Sequence, residues 1–435
     1  MKKPYYFLLV VACLFFLQHA NAQSYKTAVE QMADKVDAQV IEWRRYLHQN
    51  PELSNREFKT SEYLAQQLKD MGYEVQTGIA KTGVVAILKG DKPGPCVALR
   101  ADTDGLPVVE RTPVAFASTS KSVYNGQDVG VMHACGHDTH MAMLLGAAKI
   151  LIGMKKDIKG TVKFIFQPAE EGAPKGEEAG AALMIKEGVL ENPKVDAIFG
   201  IHINAQTEVG KIRYKPEGTM ASVDILQIKV KGKQSHGAYP WLGIDPIVTA
   251  SQIVLGLQTI VSRNLNLTEN AAVVTIGSFH GGVRSNIIPE EVKLEGTIRS
   301  LDKVMQVMIH ERIKSIATHI AESAGATAEV EIQKTYPVTF NHKALTEKMV
   351  PTLEKAAGKE NVLLSKAVTG AEDFSFFQEK VPGVFVFVGG MPKGKDVLET
   401  AAHHTPDFFI DESGLKTGVK TYCLLALDYL SMNAK

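Results

Sequence analysis

Little in this sequence points toward nucleic acid, a lipid bilayer or a disulfide scaffold. Its 48 basic and 48 acidic side chains give a formal net charge of zero. No broad cationic field is therefore present to draw nucleic acid or anionic lipid. Cysteine is scarce, with only Cys13, Cys96, Cys135 and Cys423 in 435 residues. If the first of these is removed with a leader, three remain, and an odd, low number argues against a disulfide framework. After residue 22 no stretch is long and apolar enough to span a membrane. The expected partner is a small molecule.

The first 22 residues form a pattern of their own. Lys2 and Lys3 precede an apolar run from Tyr5 to Leu17, and Ala20-Asn21-Ala22 follows with the small-x-small pattern of a cleavage site. The run is shorter than the roughly 20 residues a membrane span needs. The expectation is a signal peptide, residues 1–22, and an exported, periplasmic or secreted product starting at Gln23. Lipid attachment at Cys13 is the weaker alternative, because Leu14, Phe15, Phe16 and Leu17 keep that Cys inside the apolar region.

In the remaining chain, Val29, Met32, Val36, Val40, Trp43 and Leu47 recur every three or four residues, one face of an amphipathic helix. Glu57 to Met71 predicts a second helix, closed by Gly72. Short apolar runs then alternate with helical stretches: Cys96 to Leu99, Thr161 to Phe166, Val195 to Phe199 and Val384 to Val388. That alternation predicts an α/β layer, a mixed but mostly parallel sheet flanked by helices. Between Glu217 and Gln333 the order reads strand, helix, strand, strand, helix, strand, as in a ferredoxin-like α+β unit. The expected division is a discontinuous domain, residues 23–216 and 334–435, with residues 217–333 inserted into it. A chain of this length favours two domains over one.

Polar clusters follow three of the apolar runs: Asp102-Thr103-Asp104, Gln167-Pro168-Ala169-Glu170-Glu171, and His202. Ligands of open α/β sheets bind beyond the carboxyl ends of the strands, so these clusters can converge. The richest cluster is His133-Ala134-Cys135-Gly136-His137-Asp138-Thr139-His140, placed just before an apolar helix from Met141 to Ile152. Zinc, manganese or cobalt accepts S, N and O donors together and would organise such a set. A helix cap with surface histidines would explain Asp138 but not Cys135. Glu170 and Glu171, adjacent at the end of a buried strand, repel each other unless a cation compensates them. If Glu171 binds metal, Glu170 is free to take a proton from an activated water and pass it to a leaving nitrogen.

Six segments in order then resemble one family. They are Arg100 to Pro107, His133 to Asp138, Gln167 to Gly172, Gly200-Ile201-His202, Gly370 to Phe374 and His404-Thr405-Pro406. The set resembles the amidohydrolase branch of the dinuclear metallopeptidases, which includes hippurate hydrolases, N-acyl-amino-acid amidohydrolases and auxin-conjugate hydrolases. The resemblance implies two divalent metal ions per subunit, bound by Cys135, His137, Glu171, His202 and His404, with Glu170 as general base. It implies that Asp104 orients a metal-binding imidazole. Of the neighbours His403 and His404, the family pattern of a Pro two residues on selects His404. His133 and His140 match as supporting groups rather than ligands.

The resemblance extends into the inserted unit, which it identifies as a lid and dimerisation domain. Gly232 to Pro240 matches the lid motif, whose His236 reaches the active site of a partner subunit and helps hold a developing oxyanion. Asn286 and Arg299 match substrate contacts, and a guanidinium can hold a carboxylate in bidentate fashion. The implied activity is hydrolysis of an amide bond in an N-acyl amino acid or short peptide. A dipeptidase or carboxypeptidase using the same centre is the nearest alternative. A binding protein without catalysis and a redox role for Cys135 are the readings outside that class. Two segments depart from the pattern: Ala173 to Glu178 is longer and more acidic than expected, and Gln234-Ser235 replaces small residues before His236. Both bear on which substrate is taken, not on the metal chemistry.

Overall fold

A computed structural model describes residues 4–434, with side chains from residue 25 onward. The expected signal segment and its cleavage site lie outside the residues whose side chains are described. Among the described residues no helix is long and apolar enough to cross a membrane. The chain divides into two compact units, Met1–Pro216 with Asn341–Ser365 and Phe376–Lys435, and Glu217–Phe340 with Lys366–Ser375.

The first unit is built on an eight-stranded sheet. Its four middle strands, in spatial order Lys159–Gln167, Lys92–Asp102, Ala197–Glu208 and Gly383–Met391, are mutually parallel. They are the four apolar runs expected from sequence, and they read as unbroken hydrophobic stretches because both faces are covered. The outer strands Glu74–Ile79 and Gly83–Lys89 add antiparallel at one side. The helices Pro4–Gln49, His137–Gly153 and Leu415–Asn433 share one apolar core with the sheet, through Val40, Trp43, Leu144, Val419 and Tyr422. His137–Gly153 is buried almost all round, as a helix without a polar stripe must be.

That helix begins four residues earlier than the apolar pattern suggested. His137 to His140 therefore form its first turn instead of a loop before it. The entry is set by Gly136, whose φ of +95° belongs to the left-handed region. A Cβ there would sit 2.3 Å from Ile203 Cγ2, so glycine is also needed for close approach.

The second unit carries a four-stranded antiparallel sheet in the spatial order Ala272–Gly281, Glu291–Ser300, Val223–Lys231, Thr327–Tyr336. With the helices Pro246–Thr259 and Lys303–Ser323 this is the ferredoxin-like sequence of elements. Asp245 caps the first helix, accepting from the amides of Ile247 and Val248, with Pro246 in the first turn. The boundary differs from the expected 333/334. The last strand runs on to Tyr336, and Lys366–Ser375 joins this unit through hydrogen bonds from Val368 N to Thr219 O and from Ala221 N to Gly370 O. Gly370 to Asp373, expected in the sheet domain, thus groups with the inserted one.

Candidate metal centre

The carboxyl ends of the parallel strands bring the polar clusters together. Asp102 pairs in register with Gln167, so the chain leaves both strands side by side, toward Asp104 and toward Glu170-Glu171. His202 lies inside its strand rather than after it, since that strand continues to Glu208. Pairing with Lys92–Asp102 ends at Arg100 opposite Gly200, so His202 is flanked by backbone on one side only, opposite Phe387.

Cys135 is the hub. Its Sγ lies 3.4 Å from His202 Nε2 and 3.3 Å from His404 Nε2. His404 Nε2 is 3.2 Å from Glu171 Oε1. His137 Nε2 is 3.9 Å from both Glu171 Oε1 and Glu170 Oε2. The five nominated donors fall into two sets able to hold an ion, Cys135–His137–His202 and Cys135–Glu171–His404, which share the sulfur. Of the adjacent histidines, His404 puts Nε2 into this cluster. His403 accepts from Ala205 N with its own Nε2 at 3.1 Å, while its Nδ1 lies 3.1 Å from the Cys135 carbonyl oxygen and 3.8 Å from Sγ. His404 holds its position with a φ of +63°, and Ala169, just before the glutamate pair, has +52°. Such left-handed non-glycine residues store strain and gather at functional sites.

The electrostatics of the cluster fit a cation. Burial pushes the Cys135 thiol well above its ordinary range, and the Glu171 and Glu170 carboxylates push it further. Burial also holds His202 well below the usual imidazole range, reinforced by His140, which keeps it neutral as a ligand must be. His137 Nε2 and Glu171 Oε1, both buried, make no well-formed hydrogen bond among the described residues. A divalent ion would turn the thiol into a thiolate and give these orphaned donor atoms a partner.

A supporting layer surrounds the donors. Asp104 Oδ1 lies 3.2 Å from His137 Nδ1, and its two oxygens accept from Glu170 N and Glu171 N at 3.1 and 3.0 Å and from Ser54 Oγ at 2.7 Å. Burial alone would raise its pKa, but the His137 ring and the Ser54 hydroxyl outweigh it. Asp102 does the same for His140, 2.5 Å from Nδ1, while His140 Nε2 accepts from Ile203 N. Asp138 faces away from the donors and pairs with Arg44 Nε at 2.8 Å and His48 Nδ1 at 2.9 Å. Glu57 accepts from Ala169 N, just under the glutamate pair.

Sequence reasoning placed Asp102 in a polar cluster without giving it a role, and did not single out Ser54, Glu57, Arg44 or His48. The Asp-x-Asp spacing on a strand end was a usable signal for Asp102. The rest lie about 50 to 120 positions from what they hold, without a local pattern.

The second unit holds the other three nominated residues. His236 is exposed in a two-residue strand, Ser235–His236, paired with Ile287–Ile288. Gly237 N donates to Asn286 O, which puts His236 and Asn286 side by side. Arg299 lies in the sheet opposite Val273, and partial burial lowers its pKa.

A parallel α/β sheet carrying buried sulfur, nitrogen and oxygen donors at its strand ends defines a metal-binding enzyme. The comparison with known proteins then gives the family. Residues 98–428 match the model of peptidase family M20/M25/M40. The chain belongs to that family and is a hydrolase of amide or peptide bonds. It is 39% identical over 397 residues to thermostable carboxypeptidase 2 of Saccharolobus solfataricus, covering 91% of this chain and 96% of the relative. It is also 39% identical over 400 residues to N-acetylcysteine deacetylase of Bacillus subtilis, covering 91% and 98%. Among solved structures, the Bacillus subtilis YXEP protein, a dinuclear metal-binding peptidase of family M20, superposes with a TM-score of 0.77 at 35% identity, covering 92% and 99%.

Proposed function

We propose that this protein cleaves the amide bond of N-acyl amino acids at a dinuclear centre held by Cys135, His137, Glu171, His202 and His404. The observation that carries the reading is the pair of donor sets sharing Cys135, with the buried Glu170 carboxylate beside them. When bound, two divalent cations supply Lewis acidity for the carbonyl and lower the pKa of the attacking water.

The chain's own groups do the rest. Glu170, its backbone amide fixed by Asp104, takes the proton of the attacking water and delivers it to the departing nitrogen. His236 donates to the oxyanion of the tetrahedral intermediate, supplied by a second copy of the chain in a homodimer. Asn286 and Arg299 hold the substrate carboxylate, and the half-buried guanidinium is suited to a bidentate grip. The leader composition supports export, with the mature protein starting at Gln23. Mass spectrometry of the secreted or periplasmic product reads that terminus directly.

A second reading, release of C-terminal residues from short peptides, is favoured by the likeness to a carboxypeptidase. Metal-loaded protein assayed on acyl amino acids and dipeptides in parallel separates the two. Glu170→Gln should lower kcat by about 10²- to 10⁴-fold with metal content unchanged. Loss of metal in that variant would remove Glu170 from the role of proton carrier.

A further inference from the structure

The strands Lys121–Tyr124 and Gln127–Gly130 form a hairpin turned at Asn125-Gly126, both left-handed as a tight two-residue turn requires. Val123 and Tyr124 on this hairpin are 64% and 43% exposed, a poor placement for large apolar side chains with no ligand to meet. They line a cavity of about 230 Å³ whose other apolar walls are Leu53, Leu106, Pro107 and Pro174. Glu171 lines the same cavity, so it adjoins the metal donors.

The segment after the glutamate pair, unusual in length and acidity, helps build this cavity. Pro174 comes from it, and Glu177 anchors it by accepting from Arg56 Nη2 at 2.6 Å and Asn55 Nδ2 at 3.1 Å and by pairing with Lys81. Arg56 also lines the cavity, but its charge is already matched by Glu177. Glu171 is itself a nominated metal donor, so the wall offers no unpaired cationic side chain, and an anionic acyl group buried there would go uncompensated. Size decides the rest. An apolar cavity of about 150 Å³ accepts a benzene ring. At about 230 Å³ there is room for one six-membered ring and a short spacer, and an acetyl group would leave most of the space to water.

We propose that this cavity seats the acyl half of the substrate and selects uncharged, apolar acyl groups larger than acetyl, up to a ring with one or two methylenes. The proposal rests on the amide-hydrolase reading, in which the acyl half of the substrate lies beside the metal donors that Glu171 belongs to.

The test compares kcat/KM of the metal-loaded full chain for N-acetyl, N-phenylacetyl and N-succinyl derivatives of one amino acid. Phenylacetyl should exceed acetyl by about tenfold or more, and succinyl should fall below acetyl. Val123→Trp fills the cavity from an exposed hairpin position and should lower the phenylacetyl-to-acetyl ratio by about tenfold. Tyr124→Ala should lower it too, and circular dichroism checks that both variants fold. Ligand-observed NMR with phenylacetamide, on metal-free protein, should show binding that Val123→Trp weakens. A ratio and an NMR signal that neither substitution moves would overturn the cavity assignment while leaving amide hydrolysis standing. Absence of hydrolysis of every amide by the metal-loaded wild type would instead remove the underlying reading, and the cavity's role with it.

Discussion

Asp104 reaches His137 and the glutamate pair at once: Oδ1 is 3.2 Å from His137 Nδ1, and the same carboxylate accepts from the amides of Glu170 and Glu171. One side chain therefore sets the orientation of an imidazole donor and the position of two carboxylates. An amide in its place offers only one accepting atom and turns an NH₂ group toward donors. Asp104→Asn should weaken metal binding by about 10- to 100-fold. Titration against a competing chelator measures this, and an unchanged affinity would contradict the positioning role.

Gly136 controls the entry to the helix His137–Gly153. In Gly136→Ala the left-handed backbone alone costs about 1–3 kcal/mol. The added Cβ would also press on Ile203, next to His202. Thermal unfolding of the metal-free variant should show a clearly lowered Tm. A variant melting with the wild type would mean the backbone can enter the helix another way.

The buried pair His48 and Asp138 makes stability depend on pH. Burial disfavours the charged ring, but Asp138 at 2.9 Å and Glu110 at 3.0 Å outweigh it and hold the His48 pKa above the ordinary range. A group more basic in the folded than in the unfolded chain contributes stability that is complete below the unfolded pKa, about 6.5, and is lost as pH rises through the folded value. The urea midpoint of the wild type should thus decline above about pH 6.5. His48→Gln should start about 1.5–3 kcal/mol lower at pH 6 and decline less. Parallel curves for the two proteins would exclude His48 as the titrating group.

Activity shared between subunits is testable by mixing. Glu170→Gln and His236→Ala proteins should each be nearly inactive alone. If His236 serves the partner's site, each mixed dimer holds one intact site, and random exchange restores roughly a quarter of wild-type activity. No recovery after verified subunit exchange would place His236 in its own subunit's site or outside catalysis.

The central sheet was legible because its strands are buried on both faces and so appear as continuous apolar runs, each ending in a polar cluster. The ferredoxin-like order of the second unit was legible for a related reason, since Pro246–Thr259 and Lys303–Ser323 keep the helical period between alternating strands. The start of the helix His137–Gly153 was not. Apolar periodicity begins at Met141, whereas the turn into the helix depends on Gly136 and on His137 to His140 being buried against other segments.

By itself the sequence determined which side chains are present to do chemistry and on which strand ends they fall, because residue type and apolar period are local properties. Only the tertiary structure decided that His404 Nε2 meets both Cys135 and Glu171, that Asp138 turns away to Arg44 and His48, and that a hairpin and the segment after Glu171 line one cavity. Those outcomes depend on side-chain direction and on contacts between residues up to about 270 positions apart, which neither composition nor spacing encodes.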